Sequence, residues 1–418
     1  MTVEIPTGRA PPAARQGPRP LPAHLGAALA VWTSSVPALM QWRRGSLLWR
    51  TGLAAAAAAL ESDARGVPTD SLAPALAGEA HRRLTRFLDG IDAYRVHPYR
   101  RDLPDPPVLW RAGAARLFDF GALAPGAADG APVLFVPSLV NRSYILDLSP
   151  ERSLTRHLAG RGLRPFLVDW GAPGPAEAGF DVAAYVRRRL EPALDAVAAA
   201  CGRPPIVAGY CMGGLLALAL AARRPQDIAG LALLATPWDF HAEASFPPVA
   251  LTYVARFAQT VGDALGTVPV DLLQLGFLAL DPMQAARKFA AFAGRDPAAP
   301  ETAHYVAVED WVNDGVPLAA GVARDCLQGW YVDNAPARGA WRVAGTVIDP
   351  AALRVPALVA LPRRDRLVPY ASAAALADAL PSPHRLEVES GHTGMIVGAR
   401  AASQLWHPLA AWLTATAG

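Results

Sequence analysis

The hexapeptide Gly209-Tyr210-Cys211-Met212-Gly213-Gly214 constrains this chain more than any other stretch. An apolar run, Pro205-Ile206-Val207-Ala208, precedes it, and an Ala/Leu-rich run of helical composition, Leu215 to Ala222, follows it. A strand that turns at once into a helix leaves no room for side chains beside the apex. The small residues Gly209, Gly213 and Gly214 therefore meet a steric need, and Cys211 projects alone as a nucleophile on a sharp elbow. Such an apex usually carries Ser. A Cys there narrows the chemistry, because a thiolate is suited to passing acyl groups between thioesters.

The elbow sits in a regular alternation. Short apolar strands are predicted at residues 132–137, 165–170, 205–208, 231–235, 355–361 and 385–389, with helices over 150–161 and 181–201. Strands of this kind separated by helices predict a mostly parallel sheet flanked by helices. Residues 1–24, rich in Pro, Arg and Gly, are expected to form a disordered arm. Residues 25–130 are expected to be a helical N-terminal region, with the opening strands of the sheet somewhere in 91–131. Within it, Leu47, Leu48, Trp49 and the alanine run 54–59 predict one or two amphipathic helices. Their apolar face could pack on the catalytic domain or touch a lipid or polymer surface. The α/β core is then expected over 131–236 and 355–418. The interruption, 237–354, has helical periodicity and carries Trp238, Phe246, Tyr253, Phe257, Phe277, Trp311, Trp330 and Tyr331. It is expected to be a cap over the carboxyl ends of the strands, where an open α/β sheet keeps its site.

Composition excludes other classes. With 418 residues, 52% of them hydrophobic and 18% charged, the chain can bury a large core and is not a disordered protein. A net charge of +3 argues against general nucleic-acid binding. Three cysteines, Cys201, Cys211 and Cys326, without regular spacing fit a reducing, cytoplasmic compartment, and Cys201 and Cys326 are expected to be inert. No His, Cys or Asp cluster has metal-ligand spacing, so no metal and no cofactor are expected. The apolar stretch Leu25 to Met40 follows Arg9, Arg15 and Arg19 as in a weak signal peptide. Ser34, Ser35 and Pro37 interrupt it, and it reads as too short to span a bilayer.

A cysteine nucleophile needs a base, and the base needs an orienting carboxylate. The strand 355–361 leads into a loop carrying Asp365, and the strand ending at Glu389 leads into Ser390-Gly391-His392. Nucleophile, acid and base thus follow in the order of an α/β-hydrolase, each after a strand. His241, His304 and His384 follow no late strand and rank below His392. The tetrahedral oxyanion needs two donors. The backbone N–H of Met212 is one, and the loop Ser138-Leu139-Val140-Asn141 supplies the other, with Val140 ahead of Leu139. Asn141 is expected to fix the loop by hydrogen bonding. Arg363 and Arg364 could meet CoA phosphates, whereas Arg187-Arg188-Arg189 reads as a solvated helix face.

Several segments together resemble the poly(3-hydroxyalkanoate) synthase family, most of all its short class III-type catalytic subunits. Gly209 to Gly214 resembles that family's G-x-C-x-G-G box. Pro137-Ser138-Leu139-Val140-Asn141-Arg142-Ser143-Tyr144-Ile145-Leu146-Asp147-Leu148 resembles its P-P-W-I-N-K-x-Y-I-L-D-L segment. Val168-Asp169-Trp170-Gly171, Thr236-Pro237-Trp238-Asp239-Phe240, Glu309 to Gly315, Asp365 to Pro369 and Ser390-Gly391-His392 are similar to further family segments. There are departures: Ser138 and Leu139 stand where the family has Pro and Trp, and Arg366 where it has His. The region before residue 130 matches poorly.

The resemblance implies an α/β-hydrolase fold with a large helical cap inserted before the strand that precedes the catalytic Asp. It implies Cys211 as the acylated nucleophile, Asp365 as the carboxylate and His392 as the base. The reaction implied is polymerisation of 3-hydroxyacyl-CoA with release of CoA at the surface of a polymer granule, with a homodimer or a partner subunit. Two alternatives use the same sequence differently. One is a Cys-dependent thioesterase or intracellular polyhydroxyalkanoate depolymerase, in which water replaces the hydroxyl nucleophile. The other is a non-catalytic granule-associated protein.

Overall fold

The computed structural model describes residues 14–49, 51–244 and 247–417. Arg9 and Phe246 lie outside the described residues.

Eight strands form the central sheet, numbered here in chain order: β1 (Val108–Ala112), β2 (Ala115–Asp119), β3 (Ala131–Val136), β4 (Leu163–Asp169), β5 (Ile206–Tyr210), β6 (Gly230–Leu234), β7 (Ala357–Pro362) and β8 (His384–Val388). Their spatial order is β1-β2-β4-β3-β5-β6-β7-β8. The first two pairings are antiparallel and the other five parallel. Strands β3, β5, β6 and β7 are buried at almost every position, which is why they read as continuous apolar runs rather than alternating ones. Each strand expected from the sequence is present within two residues of its expected bounds. The opening strands expected in 91–131 are the hairpin β1–β2.

The chain divides into two compact units. One holds the sheet and covers Arg100–Leu280 and Asp314–Gly418; the other joins the residues up to Tyr99 with Asp281–Asn313. The interruption 237–354, expected as one cap, is therefore divided, and its helices Gln284–Phe292 and Pro300–Asn313 belong to the second unit. That unit has its own core of Phe87, Ile91, Tyr94, Phe289, Phe292 and Val306. Gly90 lets the helix Thr69–Val96 approach so closely that a Cβ there would lie 1.9 Å from the Phe289 carbonyl oxygen.

Three expectations for the N-terminal region are corrected. From residue 14 the expected disordered arm is ordered, because Arg15 is anchored: its guanidinium donates to Asp310 (2.6 and 2.8 Å) and to the His97 and Tyr99 carbonyls. The interruption expected at Ser34, Ser35 and Pro37 is only a one-residue break between the helices Leu21–Thr33 and Ser35–Arg43. The serine hydroxyls donate back to the Val31 and Trp32 carbonyls, and Pro37 falls in a first turn, where no N–H is needed. Leu21–Arg43 is consequently long and apolar enough to cross a membrane, and little of it is buried. Last, Leu47, Leu48 and Trp49 are not helical, since Gly45 (φ 68°) turns the chain out of the helix, whereas the alanine run lies in the helix Ala54–Asp63.

Candidate active site

The elbow takes its shape from close backbone packing. Cys211 has φ 57° and ψ −128°, its amide donates to the Leu234 carbonyl (2.9 Å), and the buried helix Met212–Arg223 begins at the next residue. A side chain at any of the three glycines would collide. A Cβ at Gly209 would lie 2.4 Å from Gly214 Cα, one at Gly213 2.1 Å from the Val136 oxygen, and one at Gly214 1.8 Å from Thr236 Oγ1.

Strands β7 and β8 bring the other two residues to the same edge. Their loops stay paired past the strand ends, the Arg363 amide donating to Val388 O and the Arg364 amide to Ser390 O (both 2.9 Å). Asp365 Oδ1 accepts from the amides of Leu367 (2.8 Å) and Val368 (3.0 Å), while Oδ2 pairs with His392 Nδ1 at 2.6 Å. Its carboxylate is thus held by its own loop and by His392. Burial alone would disfavour the imidazolium. The negative charges at Cys211 and Asp365 and the hydrogen bond to Asp365 outweigh it and hold His392 up at about 10. Burial pushes the thiols of Cys201 and Cys326 up, which suppresses their thiolates.

One contact at this site has no signal in the sequence beyond an aromatic residue in the box. Tyr210 stacks on His392, with ring centroids 5.0 Å apart and planes at 29°, and its hydroxyl donates to the His392 carbonyl at 3.3 Å.

The loop after β3 is fixed from several sides. Trp170 Nε1 donates to the Pro137 carbonyl (3.0 Å), which also packs against Gly213. The Val316 amide donates to the Val140 carbonyl (3.1 Å), and Asn141 bridges to Gly315 through backbone. Met212 opens its helix, where the first amides have no partner within the helix. Val140, the first-ranked second donor, gives its N–H to Ser138 Oγ at 3.2 Å. Leu139 and Met212 are both buried in the main core.

A family model described as alpha/beta hydrolase fold matches residues 131–399. A protein named poly(3-hydroxyalkanoate) polymerase subunit PhaC from Synechocystis is 30% identical over 298 residues, 68% of this chain and 77% of that one. Those of the same name from Haloferax mediterranei and Haloarcula marismortui are 28% identical, each over 73% of this chain. The chain spans 63% and 66% of the length of these two archaeal relatives. The chain belongs to the poly(3-hydroxyalkanoate) polymerase family of the α/β-hydrolase superfamily.

In this polymerase-family chain the remaining candidates fall into structural and peripheral places. Asp147 of the I-L-D-L segment accepts from Arg101 and Arg156 and closes the start of the core. Asp239 takes the amides of His241 and Ala242 and the side chain of Asn334, anchoring the start of the insertion. Arg189 corrects the expectation of a solvated face: it is buried and donates to Glu177 (3.1 Å), whose carboxylate is also buried. Arg363 pairs with Glu387 (3.1 Å) and Arg364 with Glu389 (3.7 Å), so nearby carboxylates offset both charges. The His241 ring rests on the carbonyls of Tyr331 and Val332, His304 lies in the helix Pro300–Asn313, and His384 begins β8.

Proposed function

We propose that this chain is an acyltransferase that polymerises 3-hydroxyacyl-CoA through a thioester on Cys211. The single observation that carries the reading is the Cys211–His392–Asp365 arrangement at the elbow of a polymerase-family chain. The Cys211 thiolate attacks the substrate carbonyl. The C–S bond to CoA breaks, and the CoA sulfur takes the proton from the His392 imidazolium. Neutral His392 then accepts the proton of the hydroxyl of a second 3-hydroxyacyl-CoA as that oxygen attacks the Cys211 thioester, and the acyl C–S bond breaks to return the Cys211 thiolate. The product is an oxygen ester that still carries CoA and can acylate Cys211 again. Asp365 stabilises the imidazolium throughout. The Met212 amide and an amide of the loop 138–141 hold the oxyanion. Because the Val140 N–H rests on Ser138, either Ser138 rotates away or Leu139 supplies the second donor. Neither metal nor cofactor takes part. We further propose that the chain works in the cytoplasm at the surface of the growing polymer, as a homodimer or with a partner subunit. Arg363 and Arg364 remain the candidate contacts for CoA phosphates.

The test supplies 3-hydroxybutyryl-CoA to the purified chain, alone and with a partner subunit of a relative. CoA release accompanied by polymer is the expected result. CoA release with only free hydroxy acid would make the protein a hydrolase, and no release under any of these conditions would remove both readings.

A further inference from the structure

We propose that Tyr210 is the positioning residue for the base, its ring and hydroxyl together holding His392 between Asp365 and Cys211. The inference rests on the reading of these three residues as the reacting site, and it assigns a role to a residue outside the triad. A single hydrogen bond from Nδ1 to Asp365 leaves the imidazole free to swing about the bond axis. A face contact removes that freedom. The Tyr210 ring supplies one at 5.0 Å and 29°, and its hydroxyl donates to the backbone carbonyl of the same histidine at 3.3 Å. One side chain thus touches both the ring and the main chain of His392.

The placement is economical. Tyr210 is the last residue of β5 and is bonded directly to Cys211, so one strand end sets the nucleophile and the clamp on its base. Tyr210 is only 2% exposed, so the contact is enclosed by packing. The hydroxyl remains a donor, because burial, aided by the charges at Cys211 and Asp365, pushes the phenol well above its ordinary value. The ring has an electronic part as well. An aromatic face favours a cation lying over it, here the imidazolium that accompanies the Cys211 thiolate.

Two variants separate the parts. Tyr210→Phe keeps the face and removes the hydroxyl; Tyr210→Leu removes both. The readouts are the NMR titration of His392, the rate of Cys211 alkylation by iodoacetamide at neutral pH, and amide hydrogen exchange at residues 391–393. Y210L is expected to titrate about one pH unit lower at His392 and to alkylate about tenfold more slowly. Y210F is expected to restore both and to show faster exchange of the 391–393 amides. A folded Y210L with unchanged titration and alkylation would overturn the role of the face. Unchanged exchange in Y210F would overturn the role of the hydroxyl, and that measurement stands even where Y210L does not fold. None of these readouts uses an acyl-CoA. A chain that makes no polymer but shows these shifts loses its proposed function and keeps the clamp.

Discussion

Cys211 stands in a backbone conformation that glycine accepts and a residue with a Cβ adopts at a cost of about 1–3 kcal/mol. Comparing Cys211→Gly with Cys211→Ala isolates that cost, since both lack the thiol. C211G is expected to be the more stable by about 1 kcal/mol in chemical denaturation. The charge at Cys211 also matters to its neighbour. Burial opposes the His392 imidazolium and the Cys211 thiolate supports it, so in C211A His392 should titrate well below about 10, as read by NMR. A histidine raised in the folded state contributes stability that is full below its unfolded value and is lost as pH rises through the folded one. The wild-type protein should therefore lose this contribution on passing about pH 10, and C211A at a lower pH. Thiol labelling supplies a third check: one cysteine should react fast, and C211A should abolish that phase, because burial keeps Cys201 and Cys326 as thiols.

At the scale of elements, the site depends on how β3, β5 and the helix Met212–Arg223 approach one another. Gly213→Ala would drive a Cβ to 2.1 Å from a backbone oxygen of β3, and that atom cannot swing aside as a side chain could. The variant should lose about 3 kcal/mol or more in thermal or chemical unfolding. Trp170→Phe keeps the aromatic packing but leaves the Pro137 carbonyl without its donor; about 1–3 kcal/mol of stability should be lost. These elements were legible because their signals are local. Apolar β-branched runs, a glycine box, and an Asp and a His each just past a strand can be read without knowing any partner. What could not be read depends on distant residues. The break at Ser34 is healed by carbonyls one turn back, and Arg189 is buried because Glu177 waits for it. Tyr210 carries no such signal, since stacking on a residue far along the chain leaves no local pattern.

At the scale of the molecule, two stretches far apart in the sequence, the residues up to Tyr99 and Asp281–Asn313, build one unit. The helix Pro300–Asn313 contributes Asp310, which accepts from Arg15 (2.6 Å) and from the Tyr94 hydroxyl (2.7 Å), and the Arg15 side chain is only 8% exposed. Asp310→Ala should destabilise that unit by about 2–4 kcal/mol, visible as earlier loss of protection in hydrogen exchange at residues 87–94. The Cys211 labelling rate of the folded protein should stay the same. Composition could not announce this division, because the two pieces of the unit lie far apart in the chain and their helices look alike. The tie between the loop after β3 and residues 315–316 has a practical side for anyone exchanging insertions among relatives. A graft joined after Val316 would bring a foreign strand edge against Val140 and Asn141 and reset the register of the loop 138–141. A graft joined before Asp314 would leave the native segment in place, so the seam chosen on paper decides whether such a chimera inherits its turnover from the recipient or loses it.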